Sequence, residues 1–150
     1  MRIKYFCDNI CFKLRRRKSI ATWLERVIWQ EGHRLEYLHF IFCSDVILHH
    51  INIHHLHHDT WTDVITFDYR DLPQNIQGEV YISIDRIREN AKLYQHPLQV
   101  ELYTIMLHGL LHLLGYDDHS PEDIARIRAQ EQRYLGQLLG SIKRIPDPKP

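Results

Sequence analysis

The densest chemistry in this chain is a pair of imidazoles four residues apart, then a glycine, then three more metal-binding side chains. These are His108 and His112, Gly115, and Asp117, Asp118 and His119. Residues at i and i+4 of a helix share one face about one turn apart, so two imidazoles there present their rings together. Apolar residues run from Leu98 through Leu114, which reads as one buried helix ending at Gly115. Glycine takes the left-handed turn that ends a helix, and the chain can then fold back so that residues 117–119 return to the same side. Three histidines and a water are the ligand set of a catalytic zinc with one position open. The expected centre is one Zn2+ held by His108, His112 and His119. The competing reading is a structural histidine cluster. Burying two unpartnered neutral imidazoles costs roughly 1–3 kcal/mol each, which weighs against it.

The far side of the bend is also specified. Ser120-Pro121-Glu122-Asp123 places a capping serine, a proline at the first helical position and an acid at the third, a helix-start signal for a final helix over about 121–139. Upstream, Ser19 is expected to cap a helix carrying Ile20, Trp23, Leu24, Val27 and Ile28, stopped by Gly32. Residues 37–43 read as a buried strand, and Ser44-Asp45 as the start of a short helix to about Leu56. Thr62 to Phe67 and Glu79 to Ile84 read as strands flanking a hairpin-like loop, and Asp85 opens a helix ending near His96-Pro97. Residues 2–6 and 10–14 are short alternating segments. The order predicts an α+β (α/β layer) fold in one domain over 1–150. It has a small mixed sheet of about four strands and about five helices, with a disordered tail from about residue 144.

Composition narrows the function classes. Nineteen Lys and Arg balance nineteen Asp and Glu over 150 residues, which excludes wholesale non-specific attraction to nucleic acid and leaves only local patches. One such patch is Arg15-Arg16-Arg17, read either as a solvated helix approach or as a phosphate contact. No apolar run reaches membrane-spanning length. Cys7, Cys11 and Cys43 are an odd set, read as ordinary thiols in a reduced, cytoplasmic setting. The most conspicuous feature by count is His49, His50, His54, His55, His57 and His58. They spread around their helix and read as a solvated surface with adventitious metal affinity.

The run from His108 to Asp117 (His-Gly-Leu-Leu-His-Leu-Leu-Gly-Tyr-Asp) resembles the signature of the YbeY family, bacterial metal-dependent endoribonucleases also called ribosomal RNA maturation factors. Thr62-Asp63-Val64-Ile65-Thr66-Phe67 is similar to that family's T-D-V-L-S-F segment, with Asn52, His58 and Asp59 before it. Gly78 to Ser83 is similar to its G-D-I-x-I-S strand. The resemblance spans residues from about 36 to 135. It implies an α/β fold, a three-histidine zinc, and cleavage of RNA phosphodiesters. The target it implies is chiefly the 3′ end of small-subunit ribosomal RNA, with a role in ribosome quality control. His108 and His112 take the first two metal positions. Asp118 stands where the family has its third ligand, with His119 one residue further, so a carboxylate oxygen is the alternative to the third imidazole. Leu56 stands where the family tends to have arginine, and Glu79 where it has aspartate.

The chemistry expected is hydrolytic. A metal-bound water of lowered pKa attacks phosphorus, and Glu79, or an acid of the Asp117-Asp118 pair, accepts a proton. Glu79 is the catalytic residue the sequence favours. RNA and the ribosome are the expected partners, with no membrane. Two rivals carry weight: a zinc peptidase, against which Gly109 replaces the glutamate of H-E-x-x-H, and a non-catalytic RNA-binding ribosome assembly factor.

Overall fold

The computed structural model describes residues 1–142, so the expected disordered tail from about residue 144 lies outside the described residues. In chain order the elements are β1 (Ile3–Asp8), α1 (Arg17–Gln30), β2 (Arg34–Cys43), α2 (Asp45–Leu56) and β3 (Val64–Asp68). They continue with β4 (Asn75–Ser83), α3 (Ile84–Leu93), α4 (Leu98–Leu113) and α5 (Pro121–Ile142). The strands form one sheet in the order β1-β2-β4-β3. β2 pairs parallel with both β1 and β4, and β3 returns antiparallel on β4. The mixed four-stranded sheet with five helices is the α+β arrangement the sequence leads one to expect. No helix among the described residues is long and apolar enough to cross a membrane.

Side-chain alternation divides the sheet into two faces. Leu38, Phe40 and Phe42 of β2 and Ile76, Val80 and Ile82 of β4 join the main core with α1, α3, α4 and α5. The opposite face holds Cys43, Ile65, Phe67 and Tyr81, and Ile47, Leu48 and Ile51 of α2 pack against it. β2, one of the two inner strands, is nearly continuously buried beyond Leu38, as expected for parallel strands covered on both sides.

Helix α4 lies on the main-core face with almost nothing between it and the sheet. A Cβ placed on Gly109 would stand 2.6 Å from Val80 Cγ1, and one on Gly78 would stand 2.7 Å from the Phe67 carbonyl oxygen and 3.0 Å from Leu113 Cδ1. Each glycine leaves room for a side chain of the opposing element, Val80 against Gly109 and Leu113 against Gly78.

Three boundaries differ from the sequence reading. Helix α1 begins at Arg17, with Arg16 in the left-handed region at φ 59° and Ser19 already inside the helix. Leu14 is buried, and the chain turns into the helix soon after that anchor. Residues 10–14 form no strand, because Asn9 at φ 56° turns the chain away from the sheet directly after β1. β4 starts at Asn75, not near residue 79, since Asn75 and Ile76 pair with Arg34 and Leu35 of β2.

Gly109→Ala should destabilise the protein by about 1–3 kcal/mol, because the added methyl overlaps a β-branched neighbour in a filled core. Gly136→Ala, on the exposed part of α5 with nothing within 4 Å of the new methyl, should instead stabilise it by up to about 1 kcal/mol. Urea denaturation of both variants checks the contrast; a Gly109→Ala midpoint equal to wild type would show that the helix does not sit this close.

Candidate metal centre

The site is assembled from the last two turns of α4 and the bend that follows. At the helix end, the Gly115 amide donates to the His112 carbonyl and the Tyr116 amide to the Leu111 carbonyl, both at 3.0 Å. Gly115 is at φ 104°. These are the paired bonds of a glycine-terminated helix. At the other end of the bend, the Asp123 amide donates to Ser120 Oγ at 3.1 Å and the Ser120 amide to Asp123 Oδ2 at 3.4 Å, a reciprocal cap. Tyr116 donates its hydroxyl to Glu31 at 3.0 Å, tying the bend to the end of α1. The segment carrying Asp118 is thus fixed at both ends and in the middle.

Arg70 pins the same place from the sheet side. Its Nη2 donates to the Leu113 carbonyl, Nη1 donates to the Pro73 carbonyl at 3.2 Å, and Nε lies 2.9 and 2.8 Å from the two oxygens of Asp68. The guanidinium bonds hold the Asp68 carboxyl below its ordinary range. One charged side chain therefore joins the β3–β4 hairpin to the last turn of the histidine helix.

His108, His112 and Asp118 converge so that one ligand atom from each lies within 4.8 Å of the others. The two Nε2 atoms are 2.9 Å apart. Asp118 Oδ2 is 3.8 Å from His108 Nε2 and 3.5 Å from His112 Nε2. Tetrahedral ligands about 2.0–2.1 Å from one ion stand about 3.3 Å from each other, and the three separations bracket that value. The set fits one borderline divalent ion, with a position left open. His108 Nδ1 donates to Glu131 Oε1 on α5, which fixes the ring so that Nε2 faces the gap. A carboxylate behind a ligating histidine is the usual support of such a centre. Burial alone would push the His108 imidazole down, but the bond and charge of Glu131, with Asp118 and Asp63 nearby, hold it above its ordinary value.

An open groove of about 420 Å3 surrounds the cluster, and Asn52, Leu56, His58, Thr62, Asp63 and Asp117 are among its walls. Asn52 is buried and its amide donates to the Thr60 carbonyl at 2.7 Å and to Thr60 Oγ1 at 3.1 Å, shaping the loop that forms one wall. Burial raises the Asp63 carboxyl above its usual range, against the pull of the His108 and Arg86 charges.

Of the residues singled out from sequence, His108 and His112 stand together, and Asp118 completes the group. His119 lines the same groove outside that group. Glu79 is not brought there. It alternates with Gly78 and Val80, whose side of β4 meets α4, so its carboxylate lies on the opposite face of the sheet. On that face its charge acts on Tyr69, whose hydroxyl is pushed up to about 12 by burial and by this carboxylate. Sequence reasoning does not single out two groups that stand at the cluster or its groove, Glu131 and Asp63. Glu131 carries no local spacing signal, being 23 residues from its partner. Asp63 stands in the Thr62–Phe67 segment, where nothing in the local pattern marks it for chemistry.

Fold and site together define an α+β protein carrying a two-histidine, one-carboxylate cluster at the end of a buried helix. The family model for endoribonuclease YbeY matches residues 8–139. Relatives described as endoribonuclease YbeY include one from Amoebophilus asiaticus, 50% identical over 89% of this chain and 90% of its own length. Another, from Cytophaga hutchinsonii, is 39% identical over 89% of this chain and 93% of its own. The chain belongs to the endoribonuclease YbeY family. The solution structure of TM1509 from Thermotoga maritima has the same fold, with a TM-score of 0.66, 22% identity and 99% of both chains covered.

Removing the support behind His108 should loosen the centre without dismantling it. Glu131→Gln is expected to weaken zinc affinity about 10–100-fold, measured by competition with a chromogenic chelator. Unchanged affinity would mean that Glu131 does not orient a ligand.

Proposed function

We propose that this chain is a zinc-dependent, single-strand-specific endoribonuclease working in the cytoplasm. Its proposed tasks are 3′-end maturation of small-subunit ribosomal RNA and ribosome quality control. Its partners are RNA and the ribosome. Family membership supports RNA cleavage, and the named relatives are endoribonucleases. The observation that carries the reading is the convergence of His108, His112 and Asp118 on one gap inside an open polar groove. The ribosomal target rests on the motif resemblance alone.

His108, His112 and Asp118 would hold the ion, with His119 the alternative third ligand. When bound, a zinc ion supplies a polarising charge for a phosphate oxygen and a water of lowered pKa. Glu131 keeps the His108 ring in one orientation through Nδ1. We assign the proton-accepting role to the carboxylate of Asp63 in preference to Glu79, because Asp63 lines the groove and Glu79 does not. The partly buried Asp63 carboxyl, raised above the usual range, suits an acceptor working nearer neutrality. The groove is walled by hydroxyl, amide and imidazole groups, which can position a sugar–phosphate backbone by hydrogen bonds. Arg15, Arg16 and Arg17 form a basic segment at the entry to α1, and would add a salt-sensitive backbone contact.

The glycine at 109 argues against a peptidase. The H-E-x-x-H arrangement needs a glutamate there, and a Cβ alone already meets Val80 at 2.6 Å.

A cleavage assay on a single-stranded RNA decides the reading. Wild type should cut it, while chelation and His112→Ala abolish cutting. Asp63→Asn should lower the rate about 10²–10⁴-fold with RNA binding retained. RNA binding with no cleavage by the zinc-loaded wild type would make the chain a non-catalytic assembly factor. Full activity in Asp63→Asn would remove that residue from the mechanism.

A further inference from the structure

The six histidines between His49 and His58 are not equivalent. His49 lies 3.0 Å from Asp59 Oδ1 through Nε2 and stacks on Trp61 with ring centroids 3.8 Å apart. His55 meets Phe67 edge-on at 6.3 Å. His58 lines the groove of the metal centre. His57 closes α2 in the left-handed region. His50 and His54 are what remains. Both are exposed on α2, and their rings lie 4.0 Å apart with planes tilted by 41°. Among the described residues neither ring takes part in a hydrogen bond or ion pair.

This is the spacing and closeness of the pair in the main centre, where the His108 and His112 rings are 4.5 Å apart. Four residues along a helix bring two imidazoles to one side, one turn apart. Two such rings can close on one ion, and free imidazole suits zinc, copper and nickel; calcium and magnesium prefer oxygen ligands. His54 also stands in the last turn of its helix, where the partial negative charge of the helix end favours a cation. Neither His50 nor His54 lines the groove around His108 and His112.

We propose that His50 and His54 form a second metal site, a two-imidazole clamp for a divalent transition ion on the outer side of α2. Its remaining coordination positions face solvent. With two ligands instead of three, and no carboxylate in the set, it holds its ion more weakly than the centre on α4. It is separate from the proposed nuclease chemistry and does not depend on it.

The test is a calorimetric titration of the metal-free full chain with Zn2+ alone, repeated with Ni2+. Wild type, His50→Ala/His54→Ala and His55→Ala are compared. Both pair positions are exposed, and alanine favours a helix, so the double variant should keep the circular dichroism of wild type. The double variant should take up one ion fewer per chain than wild type and lose the weaker binding phase, and His55→Ala should keep that phase. Equal uptake by wild type and the double variant would overturn the site. Loss of the weaker ion in His55→Ala would overturn the pairing.

Discussion

The structure depends on how closely one helix approaches one sheet. α4 can rest on β4 only because position 109 carries no side chain beside Val80 and position 78 none beside Leu113 and the Phe67 carbonyl. That contact sets the height of the helix over the sheet. It also sets which way its other faces point: with Gly109 turned to the strand, His108 and His112 stand beside it at the rim, where the groove opens. The same glycine that permits the packing denies the position to a catalytic glutamate. Fold and chemistry are therefore decided by one steric fact.

Around that contact the chain spends its polar interactions on holding the end of α4. Arg70 reaches the Leu113 carbonyl from the hairpin, and Glu131 reaches His108 from α5. Glu31 takes hydroxyls from both Tyr116 and Tyr134. Three elements remote in sequence thus fix one helix terminus and the bend beyond it. Helix ends are otherwise prone to fraying, and a ligand set loose by an ångström binds an ion poorly. These bonds are partly buried and charge-assisted, each stronger than a neutral one.

Most of the fold was legible in the sequence because its signals are local. A long apolar run marked α4, Ser44 marked the start of α2, Gly115 marked the bend, and alternation marked β4. The misplacements came where tertiary contacts override local chemistry. Ser19 is a good cap in isolation, but the chain enters α1 at Arg16, close behind buried Leu14. Asn75 and Ile76 joined β4 because a partner strand was waiting for them. At the site, the helical pair was readable from spacing alone. The residue that joins the pair was not, since Asp118 and His119 are adjacent and only the geometry of the bend places Asp118 in the group. Glu79 was drawn in by its motif position, yet a strand sends alternate residues to opposite faces, and its parity sends it away from the histidines. Glu131 and Asp63 reach the cluster through folding, so no spacing rule could pair them with it.

Everything turns on which atoms share the gap at the end of α4. A crystal structure of the zinc-loaded protein with anomalous data at the zinc edge locates the ion and its ligands directly. The arrangement described requires an anomalous peak bonded to Nε2 of His108, Nε2 of His112 and a carboxylate oxygen of Asp118, with His119 off the ion. A peak ligated by His119 with Asp118 turned away, or no peak at this position, would contradict it.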